Sequence, residues 1–285
     1  MFLKGHGTEN DFVLLPDHDG SVHGDLSAER VRALCDRRAG IGADGVLRVI
    51  RLGSSVAPVA CPEEARDEPS RREITDTDLP EWFMDYRNAD GSVAEMCGNG
   101  IRVFARHLYD EGLVPASEPV RIATRAGVKT VTRDGAQFTA DLGISTIHGE
   151  TKVSVGDRTW PALHVVVGNP HAAVLLEPGA DLTSVGSLAE EPAYDETLYP
   201  EGVNVEFVVR RGPDHVAMRV HERGSGETRS CGTGACAAAV AAAGGVPGRW
   251  RVDVPGGTLE VSRDADGRVF LSGPAVIVAR GETSL

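Results

Sequence analysis

Lysine is almost missing from this chain: Lys4, Lys129 and Lys152 are the whole set in 285 residues. A pyridoxal phosphate enzyme needs a lysine for its Schiff base, and none of the three sits in a convincing phosphate cradle. Any acidification of an α-carbon here is therefore expected to be cofactor-free. Net positive charge is missing too. A formal charge of −13 argues against a nucleic-acid partner, because phosphate binding needs a basic face. A local basic pocket for a small anion remains compatible with it.

Long hydrophobic runs are scarce. Met1-Phe2-Leu3-Lys4 gives way at once to Gly5-His6-Gly7, unlike a secretory leader. The longest small-apolar run, Ala235 to Gly245, is too short to span a bilayer. A soluble, cytoplasmic protein with no membrane partner is the expectation. Cysteine pairs at Cys-x-x-Cys spacing are absent among Cys35, Cys61, Cys97, Cys231 and Cys236. An odd cysteine count without an export signal favours free thiols, and no metal site is expected. The Gly-rich segments lack the Lys-Ser/Thr of a P-loop and the spacing of a dinucleotide fingerprint, and His221-Glu222-Arg223-Gly224 lacks the second His of a zinc protease motif.

What is present is a repeated unit. Met96-Cys97-Gly98-Asn99-Gly100-Ile101 and Ser230-Cys231-Gly232-Thr233-Gly234-Ala235 each place a Cys-Gly-x-Gly segment before a helix-like stretch. The match extends upstream without a gap, pairing Met84 with Met218 and Asn88 with Glu222. A second parallel sets Asn10-Asp11-Phe12-Val13-Leu14-Leu15 against Asn169-Pro170-His171-Ala172-Ala173-Val174. Two parallels in the same order read as duplication.

A cysteine at a helix amino terminus meets unpaired backbone N–H groups and the positive end of the helix dipole. That setting favours thiolate and is expected to lower the thiol pKa toward neutrality. Gly98 and Gly232 leave the backbone bare beside each sulfur, so a carboxylate can approach the amides of the first turn. Two such helix ends could grip one substrate carboxylate and place a thiolate and a thiol on opposite faces of its α-carbon. That chemistry inverts a stereocentre. Cys35, Cys61 and Cys236 lack this context and read as small buried hydrophobes. His171, after Asn169-Pro170, either assists a thiol or packs and hydrogen-bonds.

The length suits one large or two ordinary domains. Helical spacing covers Ala28 to Arg37 and Ile101 to Tyr109, and Gly5 to Asn10 reads as a turn. Short strand patterns recur at Asp11–Leu15, Val46–Ile50, Val120–Thr124, Val128–Val131, Ala136–Leu142, His164–Val167, Asn204–Val209, Val216–Val220, Arg251–Val254, Thr258–Val261, Val269–Ser272 and Ala275–Ala279. Gly53 to Pro80 turns polar and reads as a surface insertion. Many strands with a helix after each cysteine motif indicate an α+β protein of two similar halves.

Five segments together resemble the diaminopimelate epimerase family: Gly7-Thr8-Glu9-Asn10-Asp11-Phe12, Arg87-Asn88-Ala89-Asp90-Gly91-Ser92, Met96 to Gly100, Gly168-Asn169-Pro170-His171 and Glu222 to Gly234. The resemblance implies two pseudo-symmetric α+β halves, each a curved, mainly antiparallel sheet or barrel around a central helix, with the active site in the cleft between them. It divides the chain into 1–142 with a returning strand at 274–285, and 143–273. It implies a cofactor-independent isomerase, usually a homodimer, that interconverts LL- and meso-2,6-diaminopimelate for lysine and peptidoglycan precursors. Carried over by the resemblance, Cys97 and Cys231 are the two bases. The amides of Gly98, Asn99, Gly232 and Thr233 would hold the carboxylate at the reacting carbon. Asn10, Asn88, Asn169, Asn204 and Arg223 would line the substrate site, mainly at the distal carboxylate, and Glu222 would bind an ammonium. These residue types suit a zwitterion with two amino-acid heads. Some family members carry Gln where this chain has Gly45, so that contact is absent or replaced.

Two other readings compete. A proline racemase-like enzyme would share the cysteine motifs but characteristically has His where this chain has Asn99, and its substrate leaves Asn88, Asn204 and Arg223 no distal head to bind. A redox-sensing protein using Cys97 and Cys231 as a reversible disulfide explains neither the paired Gly-rich helix starts nor the Asn/Arg/Glu set.

Overall fold

The computed structural model describes residues 1–53 and 80–285. Cys61 and nearly all of the Gly53–Pro80 insertion expected from composition lie outside the described residues. Two compact units divide the chain: Met1–Gly7, Asp11–Ala140 and Ala275–Leu285 form the first, and Thr8–Asn10 and Asp141–Pro274 the second.

In chain order the first stretch contains β1 (Phe2–Gly7), β2 (Asn10–Pro16), α1 (Ala28–Cys35), β3 (Gly45–Arg51), β4 (Trp82–Asn88), β5 (Val93–Ala94), α2 (Gly98–Asp110), β6 (Val120–Thr124), β7 (Gly127–Asp134) and β8 (Gln137–Ile144). The second contains β9 (Thr146–Val155), β10 (Arg158–Val167), β11 (Asn169–Leu175), β12 (Asn204–Gly212), β13 (His215–Glu222), β14 (Gly226–Thr228), α3 (Gly232–Ala243), β15 (Gly248–Val254), β16 (Gly257–Arg263) and β17 (Arg268–Pro274). A last strand, β18 (Val276–Gly281), pairs antiparallel with β1.

The same pairing scheme runs through both units. In the first, β2 pairs parallel with β3, β3 antiparallel with β4, and β4 parallel with β6, which continues antiparallel through β7 to β8. In the second, β11 pairs parallel with β12, β12 antiparallel with β13, and β13 parallel with β15, which continues antiparallel through β16 to β17. The outer strands match as well, β18 and β1 in one and β9 and β10 in the other. Of the two forms expected, sheet or barrel, the sheet is the one found: no pairing joins β18 to β8 or β9 to β17 among the described residues.

Burial follows the strand chemistry. The parallel pairs are buried on both faces, as parallel strands covered by other elements must be: β3 is buried from Gly45 to Ile50 and β12 from Asn204 to Val209. The antiparallel strands alternate, as in β17, where Val269, Leu271 and Gly273 point inward. Each long helix lies against these inner faces, α2 on β1, β3, β7 and β18, and α3 on β10 to β13 and β15 to β17. Helix α3 is almost all alanine after its glycines, and every residue from Gly232 to Ala242 is buried. A helix apolar on all sides belongs inside a core, and alanine methyls let strands approach it from every direction.

Gly5 to Gly7 does not turn, against expectation; it completes β1. A Cβ on Gly5 would stand 2.8 Å from both Val103 Cγ1 and the Val276 carbonyl, so glycine lets β1 run closely under α2 and β18. The turn is confined to Thr8 and Glu9, at φ of 50° and 62°.

Candidate active site

The two cysteines occupy the same local structure. In each half a strand ends at the matched residue, Asn88 in β4 or Glu222 in β13. A short strand follows, and the cysteine then caps a helix. Cys97 has φ −136° and ψ 123°, and Cys231 has φ −118° and ψ 121°, both extended. In this position the side chain takes the place of the usual Ser, Asp or Asn oxygen and accepts from an orphan amide of the first turn. Cys97 Sγ accepts from Gly100 N at 3.4 Å, and Cys231 Sγ from Gly234 N at 3.3 Å. Thr233 Oγ1 adds a contact to the second sulfur at 3.6 Å. Cys97 is half-buried, Cys231, Cys35 and Cys236 are buried, and none of the four is in a disulfide.

The fourth residue of each motif has little room for a side chain. A Cβ on Gly100 would come within 3.3 Å of Cys97 Cβ and of Leu47 Cδ2. On Gly234 it would come within 2.7 Å of Glu206 Oε1 and 3.2 Å of Cys231 Sγ.

The first unit contains Asn88, Cys97, Gly98 and Asn99. Asn88 closes a tight turn, its Nδ2 donating to Ser92 Oγ at 3.0 Å, and Gly98 and Asn99 are buried in the first turn of α2. Gly45 pairs with Asn88 across β3 and β4. A Cβ there would stand 2.7 Å from the Tyr86 ring, so that ring fills the space into which a longer side chain at this position would grow.

The second unit contains Asn10, Asn169, His171, Asn204, Glu222, Arg223, Cys231, Gly232 and Thr233. Asn204 is buried at the start of β12, and its Oδ1 accepts from Arg223 N at 2.9 Å. Arg223 is exposed; its Nη1 donates to the Glu201 carbonyl at 2.9 Å, and its side-chain carbons lie over Gly202. Glu222 is half-buried and accepts from Thr228 Oγ1. Asn10 is buried directly after the left-handed pair Thr8 and Glu9.

A positive φ at a β-branched residue such as Thr8 is a true outlier, and it persists only where surroundings hold it. Here Thr8 Oγ1 hydrogen-bonds Ser230 Oγ at 2.6 Å, with both residues buried, and Glu9 pairs with Arg229. A Cβ on Gly256 would fall 1.9 Å from the Thr8 carbonyl oxygen, so only glycine admits the turn. The strained turn thus holds Asn10 in place and bonds to the residue before Cys231. Sequence reasoning missed Ser230 and Gly256, which carry no chemistry of their own.

It also missed Glu206. His171 and Glu206 are both fully buried, with His171 Nδ1 2.7 Å from Glu206 Oε1. His171 Nε2 lies 3.1 Å from Asn169 Oδ1. Glu206 was detectable as the single acid inside the apolar run Val205 to Val209.

The electrostatics of Cys231 reverse the expectation drawn from its helix position. Burial, then the carboxylates of Glu222 and Glu206, push its thiol well above the usual range, outweighing the Gly234 amide and the Thr233 hydroxyl, which pull it down. In this arrangement Cys231 is a neutral thiol at pH 7. Cys35, away from the site, is raised to about 11, chiefly by burial.

Comparison with known proteins fits this geometry. The family model "Diaminopimelate epimerase" matches residues 2–147 and 163–278. The diaminopimelate epimerase of Streptomyces coelicolor is 53% identical, over 99% of this chain and 94% of its own. That of Thermobifida fusca is 48% identical, over 100% of this chain and 98% of its own. Among solved structures, a PhzF-family phenazine biosynthesis protein from Bacillus anthracis superposes with TM-score 0.64 at 14% identity, covering 98% of this chain and 96% of that one. A hydroxyproline epimerase from Agrobacterium vitis gives 0.60 at 16%, covering 97% and 88%. At such identities the structures establish a shared fold only; the sequence matches, nearly end to end, establish more. The chain belongs to the diaminopimelate epimerase family, a family of isomerases.

Proposed function

We propose that this chain interconverts LL- and meso-2,6-diaminopimelate, with Cys97 and Cys231 as the two acid/base groups and no cofactor. The observation that carries the mechanism is the pair of cysteine-capped helices, each sulfur held by the amide three residues on, in units of the same topology. In one direction a thiolate takes the α-hydrogen as a proton and becomes S–H. The electron pair left on the α-carbon delocalises into the adjacent carboxylate. The other cysteine then delivers its S–H proton to the opposite face and becomes thiolate. Each turnover exchanges the roles, and the reset is a proton exchange with solvent.

The first-turn amides at Gly98, Asn99, Gly232 and Thr233 hold the carboxylate as negative charge grows on it. Asn10, Asn88, Asn169, Asn204 and Arg223 hold the distal amino-acid head, and Glu222 holds an ammonium. His171 acts beside the thiols. A homodimer in the cytoplasm completes the reading.

Incubating reduced protein with LL-diaminopimelate and, separately, with L-proline tests the assignment. Conversion of the first alone is expected. Racemisation of proline with diaminopimelate untouched would overturn it.

A further inference from the structure

The two halves repeat the same topology, yet they differ sharply beneath the two sulfurs. In the parallel pair β2–β3, Phe12 lies opposite Gly45, and Leu47 follows two residues on. In the matching pair β11–β12, His171 lies opposite Asn204, and Glu206 follows two residues on. Phe12 and Leu47 pack against Gly100, beside Cys97. Glu206 packs against Gly234, beside Cys231. One half therefore has an apolar pair where the other has an acid and an imidazole.

That substitution is costly unless it does something. A carboxylate with no solvent exposure is strongly disfavoured without partners. Glu206 has one hydrogen bond, Oε1 to His171 Nδ1 at 2.7 Å, and Oε2 has none among the described residues. Because a carboxylate only accepts, His171 donates to Glu206 from Nδ1, while Nε2 lies 3.1 Å from the Asn169 side-chain amide. Among the described residues, the acids that face Cys231 are Glu206 on β12 and Glu222 at the end of β13, with His171 on β11 reaching it through Glu206; α3 itself carries no acidic or basic side chain.

We propose that Glu206 is a positioning residue: it fixes the orientation of His171, and its carboxylate, packed against the first turn of α3 beside Cys231, adds to burial and Glu222 in disfavouring negative charge on that sulfur. The inference rests on the reading of Cys231 as an acid/base group and extends it by distinguishing the two sulfurs. Glu206 biases the proton reset, because a carboxylate beside Sγ disfavours a second negative charge there. After Cys231 has given up its proton, recapture from solvent is therefore favoured.

The test needs no substrate. Reduced full-length protein is treated briefly with iodoacetamide at pH 8, and labelling at Cys231 and Cys97 is quantified by peptide mass. Glu206→Gln keeps an acceptor for His171 Nδ1 and removes the charge. A tenfold gain in thiolate, offset by the lower nucleophilicity of a less basic sulfur, leaves a rise of about threefold in Cys231 labelling relative to Cys97. The paired variant His171→Phe with Glu206→Leu installs the combination the first half already uses at the matched place. It is expected to show the same rise, and it carries the measurement if Glu206→Gln loses its cooperative melt. Turnover of diaminopimelate by Glu206→Gln should show kcat reduced with KM unchanged, and the alkaline limb of its pH profile moved to lower pH.

An unchanged labelling ratio in both variants overturns the inference, as does a change confined to KM. A wild type inactive on diaminopimelate would instead sink the proposed function, and the labelling result would stand apart from it.

Discussion

At the residue scale, each reactive sulfur sits where a helix would ordinarily place a capping oxygen, and two influences compete there. Amide donation from the first turn favours thiolate; burial and neighbouring carboxylates favour thiol. At Cys231 the second influence wins. Cys231→Ser separates capping from chemistry. Serine is a good N-cap, so urea denaturation should give a stability within about 1 kcal/mol of wild type. Its hydroxyl is far too weak an acid to replace the thiol, and epimerisation should fall on the order of 10² to 10⁴-fold. A stable variant retaining more than a tenth of the wild-type rate would remove Cys231 from the proton path.

At the element scale, the buried helix α3 depends on small residues and a clean stop. Gly244 ends it in the left-handed conformation at φ 61°, with Gly245 N bonded back to the Val240 carbonyl. Gly244→Ala should destabilise by about 1 kcal/mol, since a Cβ disfavours that conformation. A shift in the denaturation midpoint of that size is expected, and none would mean the cap is dispensable.

Most elements were readable before the fold was known. The helix after each Cys-Gly motif, the parallel strands of apolar run and the alternating strands near the carboxyl end all carry periodic signals. Besides the short β5 and β14, three strands did not. Strand β9 (Thr-Ile-His-Gly-Glu-Thr-Lys-Val-Ser-Val) is mostly exposed, so burial imposes no alternation on it. In β4, Asp85 and Arg87 interrupt the apolar pattern because Arg87 and Arg125 both pair with Asp85. Strand β1 hides behind Gly5 and Gly7, which look like turn residues but are there for close packing.

At the scale of the molecule, duplication was legible from two parallel motifs, whereas its breaking was not. His171 could be read as helper or packing residue, and only the β11–β12 register shows that Glu206 lies beside it. The strained turn at Thr8 and Glu9 was equally hidden, because its supports, Ser230 and Gly256, lie far away in sequence.

Acid stability is a property of the whole fold. Burial holds His107 down to about 4, and His23 and His164 shift the same way, also chiefly through desolvation. An unfolded histidine titrates near 6.5, so the unfolded chain takes up these protons first as pH falls. Stability should therefore be full above about pH 6.5 and decline toward pH 4, with His107 alone accounting for on the order of 3 kcal/mol. Asp17 and Asp85 act only lower. Burial opposes their charge, but hydrogen bonds to Asp17 from Val22 and Arg48, and to Asp85 from Arg87 and Arg125, leave both carboxyls below the usual range. The stability they contribute is lost only as pH falls below about 4. Melting curves of wild type and His107→Phe across pH 4 to 7 check this: the variant should lose most of the decline, and parallel declines would contradict the assignment.

The most direct test of the two-thiol account is turnover of LL-diaminopimelate in D₂O by reduced wild type, Cys97→Ala and Cys231→Ala. The account predicts meso product carrying deuterium at the inverted α-carbon from the wild type, and no epimerisation by either variant. Epimerisation that survives the loss of one cysteine, or product without α-deuterium, would contradict it.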